Sequence, residues 1–460
     1  MAQARAQTSI AVQARVVCPH CWSRFAPEEV LWISQHPDLL GDPRLGGDQQ
    51  QRFLPTRFNP AGSAIDPRGF ICHGLACPGC HLGIPRAFVE MEPLFLSILG
   101  APSCGKSYLL AAMTWQLRRT LPKCFGVSFS DADPALNHIL NEYEEQQFLN
   151  PQQDKLVSIR KTEEQGDLYD TVLYEDQAIR YPRPFVFTLR PLETHPNFAR
   201  ADRMSRTLCL YDNAGESFLP GADTASSPVT RHLALSRALF FLFDPTQDVR
   251  FRKACQGKTD DPQMALRSTR LARERPIRQD SILLEAAERV RRHGGLAHRA
   301  KHPRPLVVVV TKHDSWSALL PGEALETPWV ASRRSAVCGL DLELIERRSR
   351  AVRSLLWDLS PEIVSAAESF ADTVVYIPVS AMGRGPEVDP GTGALGIRPC
   401  DIHPVWAEVP LLYVMSRYLR GLIPYLKPKS GPSRNGDPEV SADQSAIARL
   451  GAVPPARPGR

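Results

Sequence analysis

The stretch PLFLSILGAPSCGKSYLLAAMTW, residues 93–115, decides the fold. Residues 93–99 are almost all apolar, the length and character of a buried strand. Gly100-Ala-Pro-Ser-Cys-Gly105-Lys106-Ser107 follows with G-x-x-x-x-G-K-S spacing. From Lys106 the apolar residues recur with a period near 3.6, which predicts a helix over 106–119. A strand, a loop bounded by two glycines and a helix form the context of a phosphate-binding loop. Gly100 and Gly105 permit the tight turn, and the backbone N–H groups of Ser103, Cys104, Gly105, Lys106 and Ser107 can curl around an anion at the helix N-terminus. Lys106 is placed to meet the outer phosphate oxygens, Ser107 to ligate Mg²⁺, and Tyr108 is the next residue along the helix.

Outward from this loop, short apolar runs alternate with amphipathic stretches from about 91 to 425, which predicts an α/β sheet layered by helices. The expected strands are 93–99, 125–130, 184–190, 206–212, 237–244, 305–311 and 372–380. The expected helices are 106–119, 281–292, 342–359 and 406–422. Runs such as LVVVV (306–310) are apolar on both faces, as parallel strands covered on each side must be. Three strand ends carry polar signals. Asp212-Asn-Ala-Gly215 has D-x-x-G spacing, with a carboxylate for Mg²⁺ and a glycine N–H for a terminal phosphate. Thr311-Lys312-His313-Asp314 places a carboxylate that can accept the two adjacent N–H donors of guanine, a pair adenine does not offer. Ser380-Ala381 can bring a backbone N–H to guanine O6.

Taken in order along the chain, Gly100–Ser107, Asp212–Gly215, Thr311–Asp314 and Ser380–Ala381 resemble the motifs of P-loop GTPases of the small-GTPase and translation-factor (TRAFAC-like) type. The resemblance covers about residues 93–422. It implies binding of GTP and GDP with Mg²⁺ held by Ser107 and Asp212, and hydrolysis of GTP to GDP and phosphate. Glu216 stands where many small GTPases carry a glutamine that orients the attacking water. A carboxylate can accept the water's proton but adds negative charge beside the γ-phosphate, so slow hydrolysis without a partner is expected. The threonine of the first switch could be Thr162 or Thr171, with Thr162 preferred. Lys106, Glu216 and Thr162 are therefore the candidate catalytic residues. Asp131 and Asp133 read as a turn or helix cap before Pro134. Residues 249–304 form an insertion whose arginines read as a solvated helix face.

Upstream, Cys18-Pro-His-Cys21 and Cys77-Pro-Gly-Cys80 are two C-x-x-C pairs. Two such turns can aim four thiolates at one structural Zn²⁺. Cys72, His73, His20 and His81 are alternative ligands. The remaining cysteines, 104, 124, 209, 255, 338 and 400, are expected as buried thiols. Residues 17–90 thus read as a zinc-ribbon-like module with a long insert, preceded by a disordered tail (1–16). A second disordered tail is expected over 426–460. Loss of the metal is expected to leave nucleotide binding intact, because the loop 100–107 lies outside the module. A zinc ribbon ahead of a GTPase resembles the bacterial double-GTPase group of predicted conflict systems. A second GTPase would then come from another chain.

Composition bounds the remaining classes. The 460 residues are 43% apolar and 23% charged, enough for two or three packed domains. Net charge is +5, from 55 Lys+Arg against 50 Asp+Glu. That near balance, with acids around 28–48, argues against nucleic acid as the partner. A protein partner is expected to dock through the zinc module or the switch regions. No apolar run approaches the roughly 18 residues of a membrane span, and the N-terminus lacks a signal-peptide core. A soluble, cytoplasmic protein is the expectation, and eleven cysteines, an odd number, fit a reducing compartment.

Overall fold

A computed structural model describes residues 12–157, 169–175, 177–213, 231–265, 278–297, 299–320, 322, 325–331, 335–391, 393–419, 421–427 and 440–441. Its centre is a seven-stranded mixed sheet. The strands are β1 (Glu92–Gly100), β2 (Val127–Asp131), β3 (Phe185–Pro191), β4 (Arg206–Asp212), β5 (Ala238–Phe243), β6 (Leu306–Val310) and β7 (Val374–Pro378). Their order is β2-β3-β4-β1-β5-β6-β7. From β4 to β7 every neighbouring pair is parallel. The β2–β3 and β3–β4 pairs are antiparallel. All seven expected strands are present, shifted by at most two residues at their ends.

The helices of ten or more residues are α1 (Lys106–Thr120), α2 (Pro134–Phe148), α3 (Gln279–Gly294), α4 (Leu342–Leu359), α5 (Pro361–Phe370) and α6 (Val409–Tyr418). Local chemistry sets their ends. The Asp133 carboxylate accepts from the Ala135 N–H at the start of α2, and Asp341 accepts from Leu344 N–H at the start of α4. Asp131 instead receives Arg118 and Asn137. Pro361 cannot continue α4 and becomes the first residue of α5. Gly295 closes α3 in the left-handed conformation, φ 63°.

Strand alternation divides the core in two. Leu208 and Leu210 of β4, with Leu94, Leu96 and Ile98 of β1, join the main core with helices α1 to α6. Cys209 and Tyr211 of β4, Phe95 of β1 and Val186 of β3 point the other way. They join a second core with Val16, Trp22, Phe25, Leu82, Ile84 and Phe88 from the cysteine-rich region. On this part of the sheet the N-terminal module covers the face, where helices cover the rest. The module pairs Val16–Val17 with Arg24–Phe25 and adds a four-stranded sheet of residues 31–33, 52–53, 75–76 and 83–84.

Three expectations are corrected. Within the expected N-terminal tail, Gln13 N–H donates to Val89 and Val16 is fully buried. Within the expected C-terminal tail, Val440–Ser441 pair antiparallel with Tyr425–Leu426. Among the cysteines, Cys400 is exposed and Cys124 and Cys338 are half-buried. No described helix is long and apolar enough to cross a membrane.

Candidate functional site

Parallel strands place their C-terminal ends on one edge. There β1 delivers the loop 100–107, β4 delivers Asp212, β6 delivers Thr311–Asp314 and β7 delivers Ser380. In an open α/β sheet the crevice outside these ends, beside the strand where connections diverge, is where ligands sit. Here that strand is β1, flanked by β4 and β5.

In the loop, Ser103 has φ 60° and Gly105 φ 92°, both left-handed. Gly100 is required by space, since a Cβ would sit 2.8 Å from Leu242 O and 2.9 Å from Cys104 Sγ. Lys106 Nζ curls back over the loop to donate to Gly100 O (3.1 Å) and Ala101 O (3.0 Å). Lys106 and Ser107 are buried, Ser103 is exposed and Tyr108 is half-buried. Ser107 Oγ donates to Asp212 Oδ2 at 3.4 Å, so the two residues expected to share Mg²⁺ are neighbours. A hydroxyl and a carboxylate side by side are hard oxygen donors of the kind Mg²⁺ takes, alongside phosphate oxygens and water.

Thr311, Asp314 and Ser380 form a second cluster tied to the first. Thr311 Oγ1 donates to Phe243 O (3.2 Å) and to Cys104 O (3.4 Å), joining β6 to the loop 100–107. Ser380 Oγ donates to Asp314 Oδ1 and accepts from Gly383 N–H at 2.6 Å. Ala381 follows Ser380, half-buried. Burial raises the Asp314 carboxyl above its usual range, the Ser380 hydroxyl opposes that, and the Asp261 charge adds to it. Burial, then the Arg348 charge, lowers His313 to about 4, so this imidazole is neutral near pH 7.

Several members of this cluster carry no motif. Lys312 Nζ donates to Asp244 Oδ2 (2.7 Å), Thr246 Oγ1 (3.0 Å) and Gln263 Oε1 (2.8 Å). Ser315 Oγ donates to Asp261 Oδ2 at 2.5 Å, and Gln247 Nε2 to Pro102 O at 2.9 Å. Asp261 and Gln263 belong to the 249–304 insertion, which therefore reaches the Thr311–Ser315 side of the crevice. Asp244 was visible as a polar residue ending an apolar strand, as Asp212 is. Gln263 carried no signal. Thr162, Gly215 and Glu216 lie outside the described residues. Thr171 is exposed on the hairpin Tyr169–Tyr174/Gln177–Pro182.

The cysteine centre is built from two like turns. Trp22 N–H donates to Cys18 O and Cys18 N–H to Ser23 O; His81 N–H donates to Cys77 O and Cys77 N–H to Leu82 O. The third residue of each turn donates to the first sulfur, His20 N–H to Cys18 Sγ and Gly79 N–H to Cys77 Sγ, both at 3.3 Å. The sulfurs of Cys18, Cys21, Cys77 and Cys80 lie within 4.8 Å of one another. Cys18–Cys80 is 3.7 Å and Cys21–Cys77 is 3.6 Å. Zinc–sulfur bonds of about 2.3 Å make a tetrahedron with edges of about 3.8 Å, so the set fits a zinc ion. The alternative ligands are engaged elsewhere. Cys72 faces Phe70 O, His20 Nε2 pairs with Gly83 O at 3.0 Å, and His81 Nδ1 faces the Asp42 carboxylate at 2.8 Å. His73 is not in the group.

No family model matches the chain. It is 27% identical over 253 residues to SaeC of Mycolicibacterium smegmatis, a protein named for ESX-1 scaffolding and assembly. The match takes in 50% of this chain and 57% of SaeC, so the chain spans a little over half of that relative's length. Among solved structures, translation elongation factor SelB of Methanococcus maripaludis, in complex with the GTP analogue GppNHp, aligns at TM-score 0.20 and 12% identity. That alignment covers 63% of this chain and 30% of SelB. A TM-score of that size does not bear on the fold.

Proposed function

We infer that the chain is a GTP-binding, GTP-hydrolysing switch whose four-cysteine centre holds a structural zinc ion and forms part of a protein-docking module. The observation that carries this reading is convergence. Lys106, Ser107, Asp212, Asp314 and Ser380, picked from four separate segments, meet at one edge of the sheet, and Thr311 bonds directly to the phosphate loop.

In this reading the backbone N–H groups of residues 103–107 cradle the β-phosphate, and Lys106 swings from its own loop carbonyls onto the β/γ oxygens. The ammonium then stabilises charge that grows as the terminal phosphoryl group leaves. Ser107 and Asp212 hold Mg²⁺, which neutralises phosphate charge when bound. Asp314, steadied by Ser380, accepts the guanine N–H pair, while the turn after Ser380 approaches O6. Glu216 positions the attacking water, and Thr162 completes the site.

A second reading is a nucleotide-gated scaffold that holds GTP with little turnover. The likeness to SaeC, named for scaffolding and assembly, favours it. Single-turnover hydrolysis separates the two. Under the enzyme reading, Glu216→Ala slows the step at least about tenfold, roughly 1.4 kcal/mol of barrier, with GTP affinity kept. A rate already negligible in the native chain and unmoved by Glu216→Ala or Glu216→Gln supports the scaffold. Lys106→Ala binding GTP as tightly as the native chain would sink both.

A further inference from the structure

The residue next to Asp212 on β4 belongs to the cysteine centre as much as to the sheet. Tyr211 is fully buried and points away from the crevice. Its hydroxyl donates to Pro19 O at 2.6 Å, inside the Cys18–Cys21 turn. The indole N–H of Trp22, the residue after Cys21, donates to the same hydroxyl at 3.0 Å. One phenol oxygen is thus held by both ends of a metal-binding turn.

The contacts continue past Tyr211. Its ring stacks on His232 at 4.4 Å and 17°, and Trp22 lies against the same imidazole at 5.8 Å. His232 Nε2 pairs with Asn213 Oδ1 at 2.9 Å, and Asn213 Nδ2 donates to Ile98 O at 3.1 Å. His232 Nδ1 faces Ser97 Oγ at 2.6 Å. Residues on both sides of Asp212 are therefore fixed, Tyr211 by the cysteine turn and Asn213 by β1.

Trp22 has φ 60°. A bulky residue in the left-handed region is uncommon and costs about 1–3 kcal/mol, so the surroundings must hold it there. The matching residue of the other turn, His81, has φ 62°. That conformation belongs to the turn, and in the first turn it carries an indole onto Tyr211.

We propose that Trp22 and Tyr211 are positioning residues for Asp212, and that through them the four-cysteine metal and the Mg²⁺ of a bound nucleotide are reciprocally linked. With the turn closed on its metal, Pro19 O and the Trp22 N–H fix the phenol oxygen. The end of β4 then presents Asp212 beside Ser107. With the turn open, that constraint is lost and the Mg²⁺ contribution to nucleotide affinity falls. Linkage requires the converse: a nucleotide bound with Mg²⁺ holds the turn closed and tightens binding of the four-cysteine metal by the same equilibrium factor. This runs against the expectation that metal loss leaves nucleotide binding intact. It rests on the guanine-nucleotide reading.

The test uses the zinc-loaded full-length chain with GDP as probe, its affinity measured across a series of added Mg²⁺ concentrations. Tyr211→Phe removes only the hydroxyl, and Trp22→Phe only the N–H-bearing ring. Both variants are expected to keep GDP affinity at the lowest Mg²⁺ but to lose about tenfold of the gain that Mg²⁺ brings, within the 5–150-fold range of ordinary couplings. Equilibrium competition for zinc with a chromogenic chelator is the reverse arm. In the native chain, Mg²⁺ with GDP should raise the zinc affinity at least about threefold, and in Tyr211→Phe it should not. A purely structural role would lower affinity equally at every Mg²⁺ concentration. That result, or a zinc affinity indifferent to Mg²⁺ and GDP in the native chain, overturns the proposal while leaving the nucleotide reading standing. If Tyr211→Phe does not fold, the native zinc affinity and Trp22→Phe decide. Failure of GDP to bind the native chain at all overturns both.

Discussion

Lys312 Nζ lies 2.7 Å from a carboxylate oxygen of Asp244, whose side chain is fully buried. The loops that follow β5 and β6 are thereby joined by charge, with Thr246 and Gln263 completing the ammonium's partners. Asp244 also accepts from the backbone N–H and hydroxyl of Thr246.

Removing that carboxylate takes away several charge-assisted bonds at once. Asp244→Ala should lower unfolding stability by about 2 kcal/mol, and Asp244→Asn, which keeps an acceptor, by about 1 kcal/mol. Urea midpoints at unchanged slope would show it. A loss for Asp244→Ala with none for Asp244→Asn would mean that the cavity matters and the charge does not.

In the proposed GTP-binding reading, base choice depends on Asp314. Asp314→Asn should weaken GTP and strengthen xanthosine triphosphate, each by at least about tenfold, or 1.4 kcal/mol. The amide donor matches the carbonyl that replaces the guanine amino group. Competition binding against a fluorescent guanine nucleotide would measure both. ATP competing as well as GDP in the native chain would end the guanine assignment.

Metal analysis should find about one zinc per chain. Cys77→Ser breaks the tetrad and should release the ion. The second core, which includes all four cysteines, should then loosen, seen as loss of near-ultraviolet signal from Trp22 and Tyr211. A metal-free chain with that signal intact would contradict the assignment.

Glu408, just before α6, is buried, and this raises its carboxyl from 4.5 to about 7. Between those values the folded chain keeps a proton that the unfolded chain has released, so stability falls as pH rises and the penalty is complete above about pH 7. The gap corresponds to about 3 kcal/mol. Glu408→Gln should therefore stabilise the chain by up to that amount at pH 8 and hardly at all near pH 4.5. The same gain at both pH values would rule out titration as its source.

Much of this architecture was legible because strand runs such as Leu306–Val310 are apolar on both faces, which only a doubly covered parallel strand tolerates. The loop 100–107 and the cysteine turns were legible because their chemistry is local: a few residues at fixed spacing make each one. Helix α5 was missed because Pro361 reads as a breaker, whereas here it is the first residue of a helix. The Lys312–Gln263 bond spans 49 residues and the Trp22–Tyr211 bond spans 189. Neither follows from propensity or period, since each depends on how the sheet is ordered and on which face of β4 the N-terminal module closes.

That closure sets where the chain can be cut. Phe95, Val186, Cys209 and Tyr211 form a patch on the sheet covered by the cysteine module and the hairpin packed with it, with Leu136, His232 and Leu235 also against it. A fragment beginning at residue 91 would carry every described residue of the crevice and still uncover the part of this patch that the cysteine module closes, inviting self-association. Under the zinc reading proposed above, loss of the metal would loosen the same cover in the intact chain. Metal supply would then govern how much of the protein stays dispersed, as well as, under the proposed linkage, how it handles nucleotide.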